Sequence, residues 1–164
     1  MTPAPIPFDE AQRLAALRSL LILDTPSEER FDRFIQFARQ EFRVPIALLS
    51  LVDESRQWFK ARAGLDACET ARDISFCGHA VHARSTLVVE DTLDDPRFAD
   101  NPLVTGAPNI RFYAGAPLVM PSGHAVGTLC LIDTRPRQLD ATDLAILHSL
   151  RDLAVADLLS REPA

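Results

Sequence analysis

The sequence predicts a mixed α/β fold (α+β), a sandwich built on a central, mainly antiparallel sheet of five or six strands. Three observations predict it. Apolar residues recur at helical spacing at both ends of the chain; two pairs of strand-length runs, each joined by a short turn, occupy Pro45–Ala63 and Phe112–Asp133; and a long polar stretch broken by prolines separates the pairs. At 164 residues the chain suits one domain, residues 1–164, with its core at about 31–159 and an N-terminal helix within 1–25.

The first element is a helix over Phe8–Leu23, in which Leu14, Leu17 and Leu21 form one apolar stripe. Asp24-Thr25-Pro26 stops it, and Thr25-Pro26-Ser27-Glu28 reads as a capping box that starts a second helix running to about Phe42. Phe31, Phe34, Ile35, Ala38 and Phe42 line one face of that helix, as core side chains do. Ile46–Val52 is a continuous apolar run, expected of a strand covered on both faces, and Asp53–Arg56 is a turn. Gln57–Ala63 alternates, with Trp58, Lys60 and Arg62 on one face and Phe59, Ala61 and Ala63 on the other, which predicts a half-exposed hairpin partner.

Leu65–Asp73 reads as a loop, Ile74–Ala83 as a short helix and Leu87–Glu90 as a strand. Asp91–Asn109, with Pro96, Pro102 and Pro108, is expected to be a long loop of the kind that serves as a lid or binding segment. Phe112–Met120 and Ala125–Asp133 form the second hairpin around Pro121-Ser122-Gly123-His124. The last helix opens at Asp140 and spreads Leu144, Leu147, Leu150, Leu153, Ala154 and Leu158 over a wide arc.

Composition excludes several function classes. A net charge of −6 and a pI of about 5.1 leave no cationic footprint for nucleic acid. The longest apolar runs, such as Pro45–Val52, fall far short of the ~20 residues that cross a bilayer, and the N-terminus lacks a basic, then apolar, targeting segment. Three cysteines without a CxxC pair fit a reducing compartment, so the expected location is cytoplasmic.

Four blocks carry a family resemblance: Ser75-Phe76-Cys77-Gly78-His79-Ala80-Val81; Asp91 with Asp94-Asp95-Pro96-Arg97-Phe98; Ile110–Leu118; and Gly127–Asp133. In this order and spacing the chain resembles the GAF domains, small-molecule sensory modules of signalling proteins. The resemblance covers roughly Phe31 to Leu159. It implies terminal helices on one sheet face, and the short helix and long loop over a pocket on the other. It also implies a sensor rather than a catalyst, with the ligand unidentified. The candidate ligand-binding residues are Trp58, Phe76, Cys77, His79, Asp91, Arg97, Phe98, Arg111, Phe112, Tyr113 and Asp133, in which apolar walls accompany a few polar groups.

Other chemistries fit the residues less well. Cys77, His79 and His82 are metal-ligand types, but on a helix Cys77 lies about 200° from His79 and no second ligand pair is close by. A lone histidine is weak support for the haem held by some GAF domains. Cys68 and Cys77 make the chain similar to the free methionine-R-sulfoxide reductases, yet Asp100–Asn109 lacks the cysteine that attacks in those enzymes. Cys130, in an apolar strand, is expected to be inert. Gly78 separates Cys77 from His79, which removes the dipeptide that anchors bilins. Three readings therefore stand: a binding module, a cysteine-dependent reductase and a structural dimerisation domain. The expected partners are a small molecule, a second copy of the chain joined through terminal helices, and a separate output protein. Arg97 or Arg111 is expected to contact an acidic or carbonyl group of a ligand that orders Asp91–Asn109.

Overall fold

The structure, a computed structural model, describes residues 1–161. The elements run α1 (Glu10–Ser19), α2 (Glu29–Phe42), β1 (Ile46–Val52), β2 (Arg56–Ala63), β3 (Glu69–Ala71), α3 (Cys77–Ala83), β4 (Leu87–Val89), α4 (Pro102–Thr105), β5 (Phe112–Val119), β6 (Ala125–Asp133) and α5 (Ala141–Ser160). The six strands form one sheet in the order β3-β2-β1-β6-β5-β4, and every neighbouring pair is antiparallel. The two sequence-local hairpins thus meet at β1 and β6, the centre of the sheet.

Strand periodicity sorts side chains between two cores. Ala47, Leu49 and Leu51 of β1, with Leu129 and Leu131 of β6, face α1, α2 and α5; Ile46, Leu48 and Val52, with Cys130 and Ile132, face α3 and the segment after β4. β1 is buried along its whole length, as its unbroken apolar run demands. Gly123, at φ 86°, closes the β5–β6 turn in a conformation that a side chain would oppose. The N-cap of α5 is a capping box: Asp140 accepts from Asp143 N, and the Asp143 carboxylate accepts from Asp140 N.

Several local expectations are corrected. Helix α1 ends at Ser19, and Leu21 turns into the left-handed region (φ 51°) with its side chain exposed, so only Leu14 and Leu17 of the stripe are buried. The second capping box does not form. Glu28 is extended and α2 begins after it, because its carboxylate is held by Lys60 Nζ and Arg161 Nε, each at 2.7 Å, while the Thr25 hydroxyl donates to Ile22 O. In β2 the pairing skips a residue, with Leu49 opposite Ala61 and Ser50 opposite Phe59. This bulge at Lys60 breaks the alternation. Trp58, Ala61 and Ala63 all face the helices, Phe59 faces the other side, and Lys60 is buried against Thr25 and Pro26 O. β2 is not a half-exposed partner, because β3, expected as loop, pairs outside it.

Asp91–Asn109 is also more ordered than its composition implies. It buries Thr92, Phe98, Asn101 and Val104 and carries a short 3-10 turn at Thr92–Asp94 besides α4. Thr92 Oγ1 donates to Ile110 O at 2.7 Å, and Asn101 Nδ2 donates to Ile74 O at 3.0 Å. These bonds give the segment the anchoring that its few apolar residues alone would not supply.

Candidate functional site

Between the sheet and the segments opposite the terminal helices lies a cavity of about 320 Å³. Its floor is Ile46 and Leu48 of β1, Gln57 and Phe59 of β2, Tyr113 of β5, and Cys130 and Ile132 of β6. Phe76 and Cys77, at the start of α3, close one side, and the rim is formed by Gly64–Ala67, Leu103, Ala107–Pro108 and Ile110. The lining is apolar with a few polar groups. Gln57 Nε2 donates to Thr70 Oγ1 at 2.5 Å, and its Oε1 accepts from Ser50 Oγ at 3.5 Å. No lysine or arginine is among these lining residues.

Cys77 is the chemical centre of the cavity wall. Its sulfur accepts from Tyr113 OH and from Thr128 Oγ1, each at 3.1 Å, and it is buried. Burial works against the thiolate. Hydrogen bonding from Cys130, Thr128 and Tyr113 outweighs it and holds the Cys77 thiol below its ordinary range. The neighbouring Cys130 moves the other way, pushed up by its hydrogen bond to Cys77 and by burial. Tyr113 can reach Cys77 because its phenol lies over Gly115, where any β-carbon would collide with the ring.

The other sequence-picked residues divide by location. Phe98 stacks on Phe76, with centroids 4.2 Å apart, and so backs the cavity wall. His79 meets the edge of Phe98 and donates through Nε2 to Thr2 O at 3.0 Å; burial holds its pKa down. That bond places the N-terminal segment against α3. Arg97 is paired bidentately with Asp95 (3.1 and 2.7 Å), and Arg111 with Asp91 (3.1 and 3.0 Å), all four groups lying outside the cavity. Asp133 accepts from Thr134 N and Arg137 Nη1 at the end of β6. Trp58 and Phe112 belong to the core on the opposite face. Of the eleven candidates, only Phe76, Cys77 and Tyr113 line the cavity.

Cys77 points at the sheet while His79 points at Thr2, so the two do not converge, and His82 is exposed. Among the described residues no three His, Cys, Asp or Glu are placed to hold a metal ion. Cys68 is exposed on the loop before β3, apart from the buried Cys77. Sequence reasoning missed Ile46, Leu48, Gln57, Phe59, Cys130 and Ile132. The signal was present in the strands, since these are the residues alternate to those facing the helices, except where the bulge in β2 shifts the pattern.

The pattern of the GAF domain family matches residues 26–158. The chain is 43% identical over 157 residues to a cyclic di-GMP phosphodiesterase of Pseudomonas aeruginosa, covering 95% of this chain but only 27% of that protein. Its fold is similar to the GAF domain of an Acinetobacter phosphoenolpyruvate-protein phosphotransferase (TM-score 0.68, 16% identity, covering 91% of this chain and 94% of that one). It is also similar to a free methionine-R-sulfoxide reductase of Neisseria meningitidis in complex with its substrate (TM-score 0.67, 18% identity, covering 91% and 87%).

Proposed function

The chain belongs to the GAF domain family, a sensory and regulatory domain type, and from that premise we propose that it binds a small, uncharged, largely apolar molecule in the cavity and passes occupancy on through its terminal helices. The observation that carries this reading is the cavity itself. Its volume of about 320 Å³ lies at the lower end of the range for small-molecule sites, and a few polar groups, Gln57, Thr70 and Tyr113, punctuate an apolar lining. With no cation in the lining, a phosphate-bearing ligand would have no counter-charge. The similarity to part of a cyclic di-GMP phosphodiesterase supports a signalling context, in which this segment regulates and a separate unit acts. It does not make the dinucleotide the cavity's ligand.

Transmission follows from the sheet. Leu48 and Cys130 face the cavity, and their neighbours Leu49 and Leu129 face the helices, so pressure on one side of β1 and β6 is felt on the other. The outer surface of α5 exposes Leu153 (55%) and Leu159 (48%), which supports a second copy or an output protein as the recipient.

Native mass spectrometry of the purified chain tests the reading. A small molecule should be retained by the folded protein, released on unfolding, and absent from a Leu48→Trp variant that fills the cavity. If the native mass is that of the chain alone, and no member of a panel of neutral metabolites raises its melting temperature, the binding role is wrong. At a hundredfold excess over Kd, a true ligand stabilises by about 2.7 kcal/mol.

A further inference from the structure

The cavity lining holds a feature that reversible binding does not require: two thiols beside one another, one of them receiving hydroxyl hydrogen bonds. Tyr113 OH and Thr128 Oγ1 both donate to Cys77 Sγ at 3.1 Å. A sulfur that accepts from two hydroxyls is suited to carry negative charge, since those donors replace the water that a buried thiolate lacks. Both Cys77 and Cys130 line the cavity, so a molecule that enters meets both.

We propose that Cys77 and Cys130 are a peroxide-responsive thiol pair, oxidised by a small alkyl hydroperoxide that enters the cavity. This names a reactant class for the same cavity and rests on the proposed function only in requiring that small molecules enter. In the first step the Cys77 thiolate attacks the terminal oxygen of the hydroperoxide. An S–O bond forms, the O–O bond breaks, and the departing alkoxide takes a proton from water to leave as the alcohol; Cys77 becomes the sulfenic acid. In the second step Cys130 sulfur attacks Cys77 sulfur. The S–O bond breaks, the hydroxide takes the Cys130 proton and leaves as water, and a disulfide remains. The peroxide is reduced by two electrons and the pair of thiols oxidised by two.

The hydroxyls have a role in both steps. Tyr113 and Thr128 favour the attacking thiolate, and they remain placed to hydrogen-bond the oxygen that Cys77 acquires. The apolar lining selects an alkyl over a charged peroxide. Exposed Cys68 provides an internal reference in the same molecule, lacking this environment.

The test uses the reduced full chain treated with a stoichiometric amount of tert-butyl hydroperoxide, followed by peptide mapping. Cys77 should react on the order of tenfold faster than Cys68 in the folded protein, and this preference should vanish in urea. The product should be a Cys77–Cys130 disulfide, and Cys130→Ser should stop the reaction at a Cys77 sulfenic acid that dimedone traps. Tyr113→Phe should slow Cys77 oxidation several-fold without altering Cys68. Oxidation of Cys77 no faster than Cys68, a disulfide that includes Cys68, or a sulfenic acid that persists in the wild type would each overturn the pair. Retention of a small molecule together with inert thiols would refute this proposal alone, whereas an impermeable cavity would refute both.

Discussion

Glu10 accepts from Arg13 Nε and Nη2, both at 2.8 Å, and from Arg72 Nη1, which also donates to Asp53 O and Glu54 O. Both guanidinium groups are almost wholly buried, at 2% and 3% exposure, so Glu10 is the counter-charge for two cations that water does not reach. Burial alone would raise the Glu10 pKa, but hydrogen bonds and charge from Arg13 and Arg72 bring it down to about 2. Removing it in Glu10→Ala should destabilise the fold by about 3 kcal/mol, read by urea unfolding. A depressed carboxylate stabilises above its unfolded pKa of 4.5 and loses that contribution as pH falls through its folded value, so stability should drop between pH 4.5 and about 2. In Glu10→Ala that part of the acid slope should be missing. The Cys77 thiol, held below its ordinary range by the groups that hydrogen-bond to it, should show thiolate absorbance at a lower pH than an ordinary thiol; Gly115→Ala, which pushes the Tyr113 phenol away, should move its titration upward. An unchanged titration would mean that the phenol does not stabilise the thiolate. Neither network was legible in the sequence. Glu10 and Arg72 lie far apart along the chain, as do Cys77 and Cys130, and no local period marks residues that only the fold brings together.

The capping box of α5 shows what local sequence does specify. Asp140 and Asp143 are three residues apart, satisfy each other's backbone donors and need nothing from the rest of the chain. Asp140→Ala should cost about 1 kcal/mol, measured as a lower urea midpoint with an unchanged slope. Thr25-Pro26-Ser27-Glu28 offered a similar motif and failed, because tertiary partners claimed its carboxylate. The same contrast separates the strands. Ile46–Val52 and Ala125–Asp133 match their sequence boundaries, since both are largely apolar runs that demand cover on both faces. β2 gained a bulge, whose extra residue leaves no mark in a hydropathy pattern, and Trp58 consequently could not be placed by alternation alone. Short β3 carries Glu69, Thr70 and Ala71, too few and too polar to reveal a strand before its partner is known.

At the scale of the molecule, the family resemblance and the layered fold were legible because each layer is amphipathic on its own, whereas the cavity was only partly so. A cavity is where side chains do not meet, and its bounds depend on the loops that stop short of it. The remaining apolar surface of α5 belongs to this scale too. Leu153 and Leu159 are exposed on α5, and Val119 of β5, also exposed, lines a surface groove with Val155 of that helix; together they predict a homodimer in solution. Light scattering at micromolar concentration should give about twice the chain mass of 18.1 kDa, and Leu153→Glu with Leu159→Glu should return it to the monomer. A monomeric wild type would leave an output protein as the proposed occupant of that surface.

The sorting of β1 and β6 into two cores has a bearing on how such a domain changes over evolutionary time. Residues facing the cavity and residues facing the helices are contiguous in sequence but project to opposite faces of the sheet, so the two sets of side chains have different packing partners while the shared backbone couples them. A lineage could therefore exchange Ile46, Leu48 and Ile132 for side chains that admit a new molecule while leaving Ala47, Leu49 and Leu131, and the helices docked on them, untouched. Chemical taste would then change while the means of report is kept, the two written along the same strands one residue out of step.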